Sequence, residues 1–167
     1  VFSAQTSLAQ WLQINPNSLI MQADPAFIKS YDSTLKYESG TSNSKLTGTD
    51  SLSWKDKSWV IGIKAGKERR AYDWNKLIEQ RIIQDQAGSI PILLVLAKDN
   101  KSFFAFERPN EKVLFEMKGD TLLSNNYHYQ LNGKGIDTSY SLKPIPAYQE
   151  FWHSWRSFNP GTFKQSD

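Results

Sequence analysis

Apolar and polar positions change in short bursts along most of this chain, and one burst is apolar throughout. Residues 92–97 (ILLVLA) show no alternation, the pattern of a central strand covered on both faces. A second apolar run, residues 103–106 (FFAF), follows after Lys98-Asp99-Asn100-Lys101, whose Asp-Asn pair suits a tight turn with both lysines in water. The expectation is a hairpin at the middle of the core. Upstream, residues 59–64 and 69–72 flank a Gly-containing turn and predict another hairpin. Residues 73–78 predict one short helix capped by Asp73. Further strands are expected at residues 81–84, 113–117, 127–131 and 138–142, separated by Pro109-Asn110, Gly119-Asp120 and Gly133-Lys134-Gly135. The fold class is therefore mainly β (α+β): antiparallel strands in a barrel or sandwich-like sheet, with one short helix and a C-terminal helix.

The two ends of the chain echo one another. Trp11, Ile14, Asn15-Pro16 and Ser18 recur, at a constant offset, as Trp155, Phe158, Asn159-Pro160 and Thr162. Before each Asn-Pro the spacing is helical (Leu8, Trp11, Leu12; Phe151, Trp152, Trp155), and the proline stops the helix. A tandem repeat is the simplest reading. Residues 1–23 are then the terminal helix of a preceding copy, 24–57 a polar connection ordered around Phe27-Ile28 and Tyr31, and 58–167 a β-rich domain. The chain starts with Val and shows no signal-peptide pattern, so it is expected to be a piece of a longer polypeptide.

Composition narrows the chemistry. The chain has 167 residues and no cysteine, which excludes thiol nucleophiles, disulfides and thiolate metal sites within it. A net charge of +3 from 20 basic and 17 acidic residues is too mild and too interspersed for a nucleic-acid partner. The longest basic cluster, residues 64–70, falls on a hairpin edge. No run approaches the roughly 18 apolar residues of a membrane span. Six Trp, seven Tyr and nine Phe suit a sheet core and a binding face alike.

Few side chains offer reactivity. Glu150 and His153 have the spacing of two groups on one helical face, able to present ligands or an acid–base pair, but equally a surface hydrogen bond. A metal would need His128 or a distant carboxylate besides, so no metal and no cofactor is expected. No Gly-x-Ser-x-Gly elbow exists, and the glycines lack the strand-to-helix context of a phosphate loop. Asp85 reads as a buried turn-capping carboxylate. Trp152, Trp155, Phe158, Tyr148 and Tyr127 either form a stacking face or bury one stripe of the terminal helix, which leaves Trp152 and His153 at the surface.

Residues 59–72 (WVIGIKAGKERRAY), then 81–84, Ala87-Gly88-Ser89 and the central hairpin with Phe106-Glu107-Arg108, resemble a bacterial family, domain of unknown function 3179. Its members show Val-Ile-Gly, a later Gly, Arg-Ala-Tyr, an Asn-Asp pair, a strand running into Tyr-Cys-Pro-Leu-Cys-Gly and an Ala-Phe-Asp-Arg. Its terminal Trp followed by His-Pro-Asp-Thr is similar to residues 155–162 here. In many members the Cys-x-x-Cys suggests thiol redox chemistry or a soft metal. The resemblance places those two positions at Ala97 and Asn100, where no thiolate can form. It implies a non-catalytic, extracytoplasmic module with a degenerate redox motif, tethered to the membrane from outside this stretch. Its expected role is scaffolding, or binding a preceding homologous domain of the same polypeptide or an unknown small ligand, with Glu150, Trp152, His153 and His128 as possible contacts. The alternatives are the accessory half of a thiol-redox or metal-binding protein whose cysteines lie upstream, and a carbohydrate-binding module.

Overall fold

A computed structural model describes residues 5–31 and 48–165. In chain order these form α1 (Leu8–Ile14), a 3-10 turn at Pro25–Ser30, β1 (Trp59–Ala65), β2 (Glu68–Asp73), α2 (Trp74–Gln80), β3 (Ile82–Ala87), β4 (Ile90–Leu96), β5 (Phe103–Glu107), β6 (Glu116–Lys118), β7 (Thr121–Ser124), β8 (Tyr127–Gln130), β9 (Lys143–Pro144), β10 (Ala147–Phe151), α3 (Trp152–Phe158) and β11 (Phe163–Lys164). Sheet one runs β10-β1-β2-β11, sheet two β3-β4-β5-β9, and sheet three β6-β7-β8. Every pairing is antiparallel except β11 on β2. No sheet among the described residues closes on itself, so of the two expected architectures the sandwich is the one formed.

The layers follow from β4. Ile92, Leu94 and Leu96 join Ile61, Ile63, Tyr72 and Phe103 in the core between sheets one and two. Leu93, Val95 and Ala97 join Phe104, Phe106, Leu122 and Tyr129 between sheets two and three. An unbroken apolar run is what a strand in the middle layer requires, because period-2 side chains reach both cores. The hairpins sit where turn chemistry puts them, with Gly66 at φ 58° and Gly88 at φ 59°. Asp73 caps α2, its carboxylate accepting from the Asn75 N–H at 3.3 Å.

Several boundaries differ from the sequence reading. Residues 147–151, including Glu150, form β10 and not the start of the terminal helix, which begins at Trp152. The free edge of β1 explains this: Trp59, Ile61 and Ile63 pair with Phe151, Gln149 and Ala147. Residues 138–142 are not a strand; the pairing on β5 falls to Lys143–Pro144 instead. Of 113–117 only the last two residues are in β6. Residues 32–47 of the expected connection lie outside the described residues. Residues 48–57 pack on the domain, with Ser53 donating to Asp73 at 2.6 Å and Trp54 edge-on to Trp152 at 5.3 Å.

The terminal echo is a hydrogen-bonded motif. In α1 the Asn15 N–H donates to Trp11 O at 2.8 Å, and the Trp11 indole N–H donates to Ser18 Oγ, seven residues on, at 2.8 Å. In α3 the Asn159 N–H donates to Trp155 O at 2.9 Å, and the Trp155 indole to Thr162 Oγ1 at 2.9 Å. The cap residues share one conformation, φ −130° and ψ 72° against φ −132° and ψ 68°.

The α3 copy packs on the outer face of sheet one. Gly62 and Ala71, cross-strand neighbours, leave a flat notch that the fully buried Trp155 ring fills, with Val60 and Trp152 around it. A methyl group on Gly62 would stand 2.1 Å from Trp155 Cε3. Elsewhere Gly to Ala in a strand gains roughly 0.5–1 kcal/mol of backbone entropy. Here overpacking dominates, and Gly62→Ala is expected to destabilise the domain by about 1–3 kcal/mol in urea denaturation, with a red shift of tryptophan emission as the indole is displaced. Equal or greater stability in the variant would contradict the notch.

Candidate functional site

The bend between β4 and β5 holds a polar network with Asp99 as its hub. Asp99 Oδ1 accepts from the backbone N–H groups of Lys101 at 2.9 Å and Ser102 at 2.8 Å, an Asx turn that sets the bend. Asp99 Oδ2 accepts from the hydroxyls of Ser102 at 2.5 Å and Ser7 at 2.6 Å. Ser7 is the N-cap of α1: its Oγ receives the Gln10 N–H at 3.2 Å while its own N–H donates to Ser102 Oγ at 2.8 Å. The Phe103 N–H adds a bond to Gln5 O at 3.3 Å, and Ile14 packs against the core below. The bend therefore clasps the N-terminal helix. Ala97 is buried at the end of the strand, and Asn100 stands in the left-handed region at φ 55°, its N–H returning to Ala97 O at 3.1 Å. Lys98 and Lys101 are exposed, as the turn reading requires.

On its other side the bend borders an open cleft of about 490 Å³ lined by Arg81, Ile82, Lys98, Asn100, Met117 and Gly119, with Gln80 at the rim. Arg81, left-handed at φ 65° as the C-cap of α2, donates to Asn100 Oδ1. Two cations and no carboxylate on the lining make the cleft receptive to small anions.

The remaining motif residues lock the layers together. Tyr72 on β2 donates to Asp85 Oδ2 on β3 at 3.0 Å, across the sheet one–sheet two interface. Burial, and then the adjacent Asp85 charge, push the phenol far above its ordinary pKa, so it stays a donor. The buried Arg108 donates to the carbonyls of Glu111 at 3.2 Å, Val113 at 3.0 Å and Asp85 at 3.2 Å, fixing the loop after β5 onto β3. Asp85 thus bonds a tyrosine in the neighbouring sheet and caps no turn. Tyr72 and Arg108 were missed as its partners because neither is near it in sequence; their only signal was that all three lie in family-like motifs.

The other expected site residues do not assemble. Glu150, on β10, accepts from Ser154 Oγ at 3.1 Å. His153, exposed on α3, uses Nδ1–H to donate to Asp56 O at 2.8 Å. Trp152 is buried in the layer under α3 and not at the surface. His128, on β8, pairs through Nδ1 with Asp137 Oδ2 at 2.5 Å, and its N–H bonds Asp137 Oδ1. The His128 backbone and ring hold the Asp137 carboxyl below its usual range. Among the described residues no group of three His, Asp or Glu side chains is placed to hold a metal.

Asp99 makes the clasp pH-sensitive. Burial acts to raise its carboxyl pKa, but the hydrogen bonds from Ser102, Ser7 and Lys101 together outweigh burial and hold it below the usual range. The folded state therefore takes up this proton at lower pH than the unfolded chain. The stabilisation is full above the ordinary carboxylate range and is lost as pH falls through the depressed folded value. Between about pH 5 and pH 2, Asp99→Asn is expected to lose stability less steeply than the parent in urea denaturation. Parallel acid limbs would show that Asp99 contributes nothing there.

No curated protein matches the chain, and neither does any solved structure. The family described as "Protein of unknown function (DUF3179)" matches residues 1–162, which takes in α1, the clasp, the Tyr72–Asp85 lock and the Trp155–Thr162 motif. The match covers nearly the whole of the 167-residue chain, and the chain belongs to that family.

Proposed function

We propose that this is a non-catalytic scaffolding module, one copy of a tandem, in which the bend that carries sulfur in relatives serves instead as a joint. The observation that carries the reading is the Asp99 clasp: all four of its bonds come from the bend and from the cap of α1. A carboxylate so saturated has no lone pair left for a substrate proton. The neighbouring positions, Ala97 and Asn100, offer no nucleophile. The shared Trp–Asn–hydroxyl geometry of α1 and α3 supports the tandem reading, in which α1 is the end of the preceding copy. A location outside the cytoplasm rests on the family resemblance.

Asp99→Ala removes the acceptor for Ser7 and tests the joint. Losing charge-assisted bonds worth about 1–3 kcal/mol, the variant is expected to exchange the amides of residues 8–14 roughly tenfold faster or more, with β4 and β5 still protected. Unchanged exchange in α1 would remove the joint. Turnover by the purified protein that vanished with Glu150→Gln or His153→Ala would remove the non-catalytic reading.

A further inference from the structure

The two terminal helices share a local geometry but not their burial. In α3, Trp152 is 6% exposed and Trp155 0%, both pressed onto sheet one around Gly62. Their counterparts in α1, by the offset that superposes the Asn-Pro motifs, are Leu8 and Trp11, which are 55% and 42% exposed. The position that faces away is reversed as well. Phe158 of α3 is 81% exposed, whereas its counterpart Ile14 packs into the core beside the clasp. Thus α1 shows this domain the face that α3 turns outward, and turns outward the face that α3 buries. The indole of Trp11 is already held by Ser18 in the orientation that Trp155 has over its glycine, so it is set for a flat acceptor and not loose.

We propose that the Leu8–Trp11 face of α1 is a docking surface, and that its occupant is the outer face of a glycine-notched sheet in the preceding copy of this fold. The inference rests on the tandem reading and adds the partner surface. Each terminal helix then has two sides, a tryptophan side seated on its own copy's first strand and a side held by the bend of the copy that follows. The notch is a glycine as far before Trp11 as Gly62 stands before Trp155, between aliphatic residues as Val60-Ile61 and Ile63 flank Gly62.

The test uses the whole polypeptide translated from the gene. Leu8→Cys places a thiol on the proposed face, within 167 residues that otherwise have none, and Tyr140→Cys, at a site 72% exposed, is the reference. Maleimide labelling is followed by mass spectrometry of the peptides that contain each site. Residue 8 is expected to label roughly tenfold more slowly than residue 140, since a covered thiol is inert. Leucine in place of the upstream glycine is expected to bring its rate back to that of the reference. Equal rates at both sites in a polypeptide that carries a preceding copy would overturn the docking and leave the tandem standing. A gene without a preceding copy would overturn both.

Discussion

Burial of β4 on both faces is the constraint from which the other layers follow. A strand with Ile92, Leu94 and Leu96 on one side and Leu93, Val95 and Ala97 on the other needs a sheet above and a sheet below. At roughly 25 cal/mol per Å² of apolar surface, leaving either face wet would forfeit several large side chains at once. Sheet one supplies Ile61, Ile63 and Tyr72 for the first face; sheet three supplies Leu122 and Tyr129 for the second. The polar bonds then fix alignment more than they add stability. Tyr72 to Asp85 aligns sheet one on sheet two, and Arg108 holds the loop after β5 against β3.

The bend at the tip of β4 inherits rigidity from this arrangement. Ala97 is sealed in the lower core and Phe103 in the upper one, so the residues between them cross a short, fixed gap. On such a base Asp99 can accept four donors at once, because none of them has to be ordered anew when the others bind. A loop position that could present a reactive group to solvent is used to grip a helix. The same frame puts Arg81 and Lys98 on the opposite side, so the bend has a gripping side and an open, cationic side.

Local signals were readable in the sequence, and long-range ones were not. The unbroken run at residues 92–97, the Gly66 and Gly88 turns and the Asp73 cap are local chemistry, and each element stands where that chemistry placed it. Glu150 and Phe151 were misplaced on the terminal helix because Phe151, Trp152 and Trp155 keep helical spacing. What overrides that spacing is the empty edge of β1, nearly a whole domain away. Trp152 was left at the surface for a related reason: Trp54, which closes over it, precedes the first strand. The clasp was half visible. Asp99 was read as a turn residue, which it is, but its bond to Ser7 joins residues 92 apart. The Glu150–His153 pair was read as one helical face, and the strand-to-helix junction between them separates the two.

The pairing of β1 with β10 and α3 also bears on synthesis. Strand β1 receives its outer neighbour and its tryptophan cover from residues made long after it. Until those residues emerge, Val60 and the Gly62 notch lie bare beside an unpaired edge, a surface prone to joining the wrong strand. The domain can complete its outermost layer only once translation of residue 158 is past, so loss of residues 147–158 would lay β1 bare and not merely remove a peripheral helix.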